Sequence, residues 1–184
     1  MNALEGLKVL ELGQLIAGPF AGKTLAEFGA DVIKVEPAGV GDPLRKWRLL
    51  RDGTSVWWEV QSRNKRSVCL DLRSADGQQA VRALAAEADV LIENFKPGTL
   101  EGWGLGWEAL HAANPKLIML RISGYGQTGP YRDKPGFGVL GEAPARGRQR
   151  EMAARRPLGD AAGLRDGAEQ AQGHEVDTRG VHSR

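Results

Sequence analysis

Residues 7 to 36 constrain this chain more than any other stretch of it. Leu7-Lys8-Val9-Leu10-Glu11-Leu12 is a short run rich in strand formers that ends at Gly13, and Asp31-Val32-Ile33-Lys34-Val35-Glu36 is a second such run. Between them, Ala17-Gly18-Pro19 opens a helical pattern with Pro19 in its first turn, Leu25 and Phe28 on one inward face, and Gly29 at the stop. A strand, a helix and a strand within about 30 residues demand parallel pairing and a right-handed crossover.

The alternation then continues. Strands are expected over 67–72, 89–93 and 117–122, and helices over 75–86 and around 107–113, the signature of a doubly wound α/β sheet. Pro37 to Ser62 interrupts the pattern with Gly39, Gly41, Pro43 and Gly53, but its Trp47, Trp57 and Trp58 point to an ordered excursion with its own packing. Beyond Glu142 the character changes: residues 143–184 hold eight arginines and no Phe, Trp or Tyr. Such a segment buries too little apolar surface to offset its ordering entropy, about 1–2 kcal/mol per residue for the backbone. The expected organisation is therefore one α/β unit over 1–142 and an irregular or disordered tail over 143–184, with a frameshift or misplaced gene end as the hypothesis for the join.

Composition removes several classes of function. Lys plus Arg number 25 against 23 for Asp plus Glu, a net charge of +2, which gives no electrostatic case for nucleic acid or an anionic membrane as the main partner. A basic leader is lacking, and no window approaches ~18 apolar residues, so a soluble cytoplasmic protein is expected. Cys69, in Ser67-Val68-Cys69-Leu70, reads as a small buried side chain. His111, His174 and His182 show no metal spacing, and His111 is expected on a helix surface.

In open parallel sheets, ligands sit beyond the carboxyl ends of the strands. Four segments are expected there. Gly13-Gln14-Leu15-Ile16-Ala17-Gly18-Pro19 follows the first strand but lacks the G-x-G-x-x-G spacing of a dinucleotide loop. Asn64-Lys65-Arg66-Ser67 is either a solvated charge run or a partner for phosphates. Glu93-Asn94-Phe95-Lys96-Pro97-Gly98 is either an ordinary turn or the source of an amide and a ring for a purine. Ser123-Gly124-Tyr125-Gly126-Gln127-Thr128-Gly129-Pro130 lets a ligand approach its backbone closely, or is a plain glycine-rich loop.

Together with Leu4-Glu5-Gly6-Leu7-Lys8-Val9-Leu10-Glu11, Gly29 to Glu36, Gly41-Asp42-Pro43 and Leu70-Asp71-Leu72, these segments resemble the family III CoA-transferases, the CaiB/BaiF group, over residues 4–142. The resemblance implies a Rossmann-like, open and mainly parallel sheet flanked by helices, incomplete in this chain. It also implies an enzyme that moves coenzyme A between an acyl-CoA thioester and a carboxylic acid. CoA and acyl-CoA would be substrates, with no permanently bound cofactor and no metal, and the intact family forms homodimers. Ile16 and Ala17 would lie against CoA, Leu70, Asp71, Leu72 and Arg73 would flank its nucleotide, and Asn94 with Phe95 would hold the adenosine end. Gly124, Tyr125 and Gly126 would line the pantetheine route. Pro37 stands where family members often carry an arginine, which leaves Lys65, Arg66 or Arg73 to supply charge for the phosphates.

The family nucleophile is an aspartate in Gly-Asp after an Arg-Pro-Pro stretch, followed by a long apolar helix. Arg156-Pro157-Leu158-Gly159-Asp160 imitates that motif, which makes Asp160 the candidate catalytic residue, although residues 161–167 lack the helix pattern and the spacing from Tyr125 is short. Family members are about twice as long as this chain, so a truncated and inactive form is expected. The alternatives are a non-catalytic CoA-binding module and a relative of the acyl-CoA racemases, the latter disfavoured by Phe137 where racemases carry a histidine.

Overall fold

The computed structural model describes residues 2–134 and 136, so Asp160, Phe137 and the tail lie outside the described residues. Five strands form one parallel sheet: β1 (Lys8–Glu11), β2 (Asp31–Glu36), β5 (Lys65–Cys69), β6 (Val90–Glu93) and β7 (Ile118–Arg121), in the order β5-β2-β1-β6-β7. Helix α1 (Ala17–Glu27) joins β1 to β2, and α3 (Ala75–Glu87) joins β5 to β6. The short α4 (Thr99–Gly102) and α5 (Trp107–Ala113) join β6 to β7.

Strand order and handedness together assign the helices to faces. The chain runs outward from β1 through β2 to β5, then returns to β6 beside β1. Right-handed crossovers in opposite directions place their helices on opposite faces. Two cores result. Val9, Val32 and Ile92 pack with Ala26 of α1 on one face, while Leu10, Val35 and Leu91 pack with Val81 and Ala85 of α3 and Leu110 of α5 on the other. Adjacent residues of one strand thus serve different cores, which is why these strands read as unbroken apolar runs rather than alternating ones. Each fully buried aliphatic side chain contributes about 1.5–3 kcal/mol.

The excursion after β2 is ordered, as its tryptophans suggest. A 3-10 turn over Pro43–Lys46 is capped by Asp42, whose carboxylate accepts from the Leu44 N–H at 2.8 Å. Strands β3 (Leu50–Arg51) and β4 (Thr54–Ser55) then pair antiparallel across Asp52 and Gly53, both at positive φ (49° and 79°), the geometry of a two-residue hairpin turn. Helix α2 (Val56–Gln61) follows, capped by Ser55, and the Trp47 and Trp57 rings meet edge to face with centroids 5.7 Å apart.

Four expectations need correction. The third strand of the parallel sheet spans Lys65–Cys69 rather than 67–72, because Lys65 and Arg66 already pair with Val32 and Ile33 of β2, and the Lys65 ammonium finds a buried partner. Lys65 and Arg66 therefore start a parallel strand and do not stand at its carboxyl end. Cys69 is exposed, because β5 is an edge strand among the described residues. Phe28 is 58% exposed; it caps α1 and lies outside the inward face that Leu25 occupies.

Candidate functional site

Three neighbouring strands end on glutamate at the carboxyl edge of the sheet: Glu11, Glu36 and Glu93, each at most 1% exposed. A carboxylate in such a place must be paired, since an isolated buried charge costs several kcal/mol. Glu11 meets Lys34 Nζ at 2.9 Å and Lys65 Nζ at 2.6 Å, and Lys34 also meets Asp42 at 2.8 Å. Two lysines and two carboxylates form this charge-balanced cluster. Gly22 makes room for it, because a Cβ there would overlap Glu11 Oε2. Burial pushes the Lys65 ammonium below its ordinary pKa, against the pull of Glu11.

Glu36 accepts from Arg45 (2.7 and 2.8 Å), from the Asp42 N–H (2.8 Å) and from the Ser67 hydroxyl. Burial alone would raise its pKa, but these donors outweigh burial and hold the carboxyl at about 2. Glu93 accepts from Arg121 at 2.7 Å and from the Phe95 N–H at 2.7 Å. All three glutamates hold the edge in shape rather than presenting a free carboxylate.

The loop between β1 and α1 is fixed at three points. Lys34 Nζ donates to the Gly13 carbonyl (2.7 Å), the Leu15 N–H donates to Asp42 Oδ1 (3.0 Å), and Asn94 takes both ends of Gln14. Asn94 Oδ1 accepts from the Gln14 N–H at 2.7 Å, and its Nδ2 donates to the Gln14 carbonyl at 2.9 Å. Leu15 stands at φ 63°, a left-handed conformation that a side chain beyond glycine adopts at a cost of order 1–2 kcal/mol.

A cleft of about 710 Å³ opens along this edge. Gln14 contributes from the loop after β1, Val40 and its neighbours from the loop after β2, and residues 70–73 from the segment after β5. Phe95, Lys96, Thr99 and Trp103 close it from the loop after β6 and from α4. Leu70, Leu72, Phe95 and Trp103 form an apolar wall, with Phe95 and Trp103 edge to face at 5.4 Å. Arg73 and Lys96 are exposed at the rim, and neither has an ion-pair partner among the described residues. The other carboxylate on the wall, Asp71, accepts from the Arg73 N–H at 3.0 Å.

Of the candidate residues, the fold gathers Leu70, Asp71, Leu72, Arg73 and Phe95 on this one cleft. Asn94 stands beside it with its amide occupied by Gln14. Ile16, Ala17 and Gly124 to Gly126 are not part of its wall. In the last of these segments the Ser123 hydroxyl donates to the Gly126 carbonyl at 2.9 Å, and Tyr125 meets Tyr131 at 5.8 Å. Lys65 is committed to Glu11, and Arg66 pairs with Asp31 at 2.6 Å at the opposite edge of the sheet, so neither supplies charge to the cleft. Gln14, Val40, Lys96, Thr99 and Trp103 were not singled out as site residues from the sequence. Lys96 was within reach, since it follows Asn94-Phe95 in the same loop; Trp103 carries no sequence signal of its own. Among the described residues, no group of His, Cys, Asp and Glu could hold a metal ion, and no helix is long and apolar enough to cross a membrane.

The description CoA-transferase family III matches residues 4–150. Succinyl-CoA--D-citramalate CoA-transferase of Chloroflexus aurantiacus is 60% identical over 141 residues, covering 76% of this chain and 35% of that protein. Succinyl-CoA:glutarate CoA-transferase of Homo sapiens is 41% identical over 144 residues, covering 78% and 33%. A crystal structure of a CAIB/BAIF family protein from Brucella suis superposes with a TM-score of 0.73 at 44% identity, covering 78% of this chain and 39% of that one. The chain spans about a third of the length of the curated relatives it matches.

Proposed function

Because this chain belongs to CoA-transferase family III, we propose that its described part is the coenzyme A-holding portion of an enzyme that moves CoA from an acyl-CoA thioester to a carboxylic acid. The observation that carries this reading is the cleft at the carboxyl edge, with an apolar wall and exposed cations at its rim. CoA is a phosphorylated adenosine on a long pantetheine arm. Its base needs an apolar surface, its phosphates need cations that are not already paired, and a volume of about 710 Å³ lies within the usual range of ~300–1,000 Å³ for small-molecule sites. With Pro37 at the end of β2, Arg73 and Lys96 are the cations this cleft offers the phosphates.

In the reaction proposed, a carboxylate of the enzyme attacks the thioester carbonyl, giving a mixed anhydride and releasing the CoA thiolate. The thiolate attacks the anhydride at the enzyme's carbonyl, which frees the original acid and leaves an enzyme-CoA thioester. The acceptor carboxylate then attacks this thioester, displacing the thiolate to form a second mixed anhydride. Finally the thiolate attacks the acceptor's carbonyl, forming the new acyl-CoA and restoring the enzyme carboxylate. The carboxylates of the described cleft are poor candidates for that nucleophile, since Glu36 is held ionised by three donors and Asp71 caps its own turn. Asp160, the candidate from the sequence, lies outside the described residues. The described part therefore supports carrier binding, and the chemistry is assigned to residues beyond it.

A calorimetric titration with CoA, paired with an assay of CoA exchange from succinyl-CoA to small carboxylic acids, tests the reading. Succinyl-CoA is the donor of choice because the relatives' names state it. Saturable binding with exchange supports the transferase. Binding without exchange supports a CoA-binding module, and a folded protein with no affinity for CoA defeats both. The homodimer belongs to the same proposal and is tested by sedimentation.

A further inference from the structure

We propose that Asn94 is a positioning residue, which acts on the bound carrier by fixing the Gln14 backbone rather than by touching the ligand; the inference rests on the CoA reading of the cleft. Asn94 Oδ1 already accepts from the Gln14 N–H at 2.7 Å, and Nδ2 already donates to the Gln14 carbonyl at 2.9 Å. A carboxamide can accept two hydrogen bonds and donate two, and here one of each goes to the backbone of a single residue, Gln14.

The place of this contact gives it a function. β1 and β6 are neighbours on either side of the point where the strand order reverses, so the loops that follow them are the ones that part to form a ligand crevice in open α/β sheets. Asn94 ties the two loops together at that point. Gln14 on one loop and Phe95 on the other both line the cleft, so the amide sets the spacing between two of its walls.

The first loop needs such a tie. Leu15 is held at φ 63°, and the contacts of Lys34, Asp42 and Asn94 tie down residues 13–15 in that strained path. The sequence is shaped around the amide as well. A Cβ at position 13 would lie 2.8 Å from both Asn94 Oδ1 and the Gly18 Cα, and one at position 18 would lie 2.8 Å from the Gly13 Cα and 3.1 Å from Asn94 Oδ1, so the two glycines let their backbones and the amide come together. Gly13, Gly18 and Asn94 work as one device.

The test compares the parent chain with Asn94→Ala and Asn94→Asp, reading CoA affinity by calorimetry and the Gln14 amide by hydrogen exchange. Asn94→Ala is expected to raise the Kd for CoA at least tenfold and to speed Gln14 exchange by a similar factor. Asn94→Asp keeps the acceptor for the Gln14 N–H, and is expected to keep that amide protected and to bind CoA more tightly than Asn94→Ala. Should Asn94→Ala fail to fold, the aspartate variant still reads both quantities. An alanine variant that binds CoA as tightly as the parent overturns the inference. So does one that loses affinity while Gln14 exchange is unchanged, since that result assigns Asn94 a direct contact. A parent chain that binds no CoA defeats the reading of the cleft itself, a different failure from either of these.

Discussion

The ammonium of Lys65, at the amino-terminal end of β5, crosses beneath β2 to reach the Glu11 carboxylate at 2.6 Å, with both side chains out of water. What looks in the sequence like one member of a surface charge run is part of the interior. The cluster it joins supports the loop that follows β1, because Lys34 bridges Glu11, Asp42 and the Gly13 carbonyl.

Lys65→Met leaves Glu11 with Lys34 as its remaining cation. Removing one partner of a buried pair costs about 3–5 kcal/mol, and the surviving lysine places the expected loss near the lower end, about 3 kcal/mol. Urea unfolding of the parent and the variant measures it; a difference below about 0.5 kcal/mol would contradict the pairing.

Glu36 makes stability depend on acid. Its folded pKa of about 2 lies below the ordinary 4.5, so its contribution is fully present above pH 4.5 and is lost as the pH falls toward 2. After allowance for solvent at the partly exposed Arg45, that contribution is about 2 kcal/mol. The unfolding midpoint in urea, followed from pH 5 down to 2.5, is expected to fall, and Arg45→Met is expected to fall less over the same window. Equal slopes for the two proteins would remove Arg45 from the account.

Arg73→Ala and Lys96→Ala are expected to weaken CoA binding about tenfold each, in line with ~1.5–3 kcal/mol for a hydrogen bond to a charged group. Both variants should unfold like the parent, since these side chains are exposed and have no ion-pair partners among the described residues. Calorimetry at two salt concentrations checks this, with the parent expected to show the steeper salt dependence. Unchanged affinity in both variants would take the phosphates away from this rim.

Cys69 is expected to react with an aromatic disulfide reagent in the native protein, without denaturant, because the thiol is exposed at the end of an edge strand. A thiol that labels only on unfolding would restore the buried reading suggested by its apolar neighbours.

The strands and helices of the sheet were legible because both cores draw on uninterrupted apolar runs such as Val9-Leu10 and Leu91-Ile92, and because the alternation of strand and helix admits few topologies. α5 follows its apolar pattern from Trp107 to Ala113 as expected. The misreadings come from tertiary context. Nothing local tells that Lys65 finds Glu11 two strands away, or that Cys69 lies on what is an edge strand among the described residues. At the site, Leu70 to Arg73 were named through the family resemblance, while Asn94-Phe95 stood out as a segment at the end of an expected strand. Trp103 was missed because it reaches the cleft from α4, a helix too short to leave a periodic pattern. Glu36 and Glu93 were visible as residues that end strands, but the partners of the buried glutamates were not, since Lys34 and Lys65 reach Glu11, and Arg121 reaches Glu93, from other strands.

The most direct measurement is a hydrogen-exchange footprint of the protein with and without saturating CoA. The account predicts slowed exchange in residues 35–40, 70–73 and 95–103, with the outer helix face of α5 unchanged. Protection elsewhere, with those three segments exchanging as they do in the free protein, would contradict it.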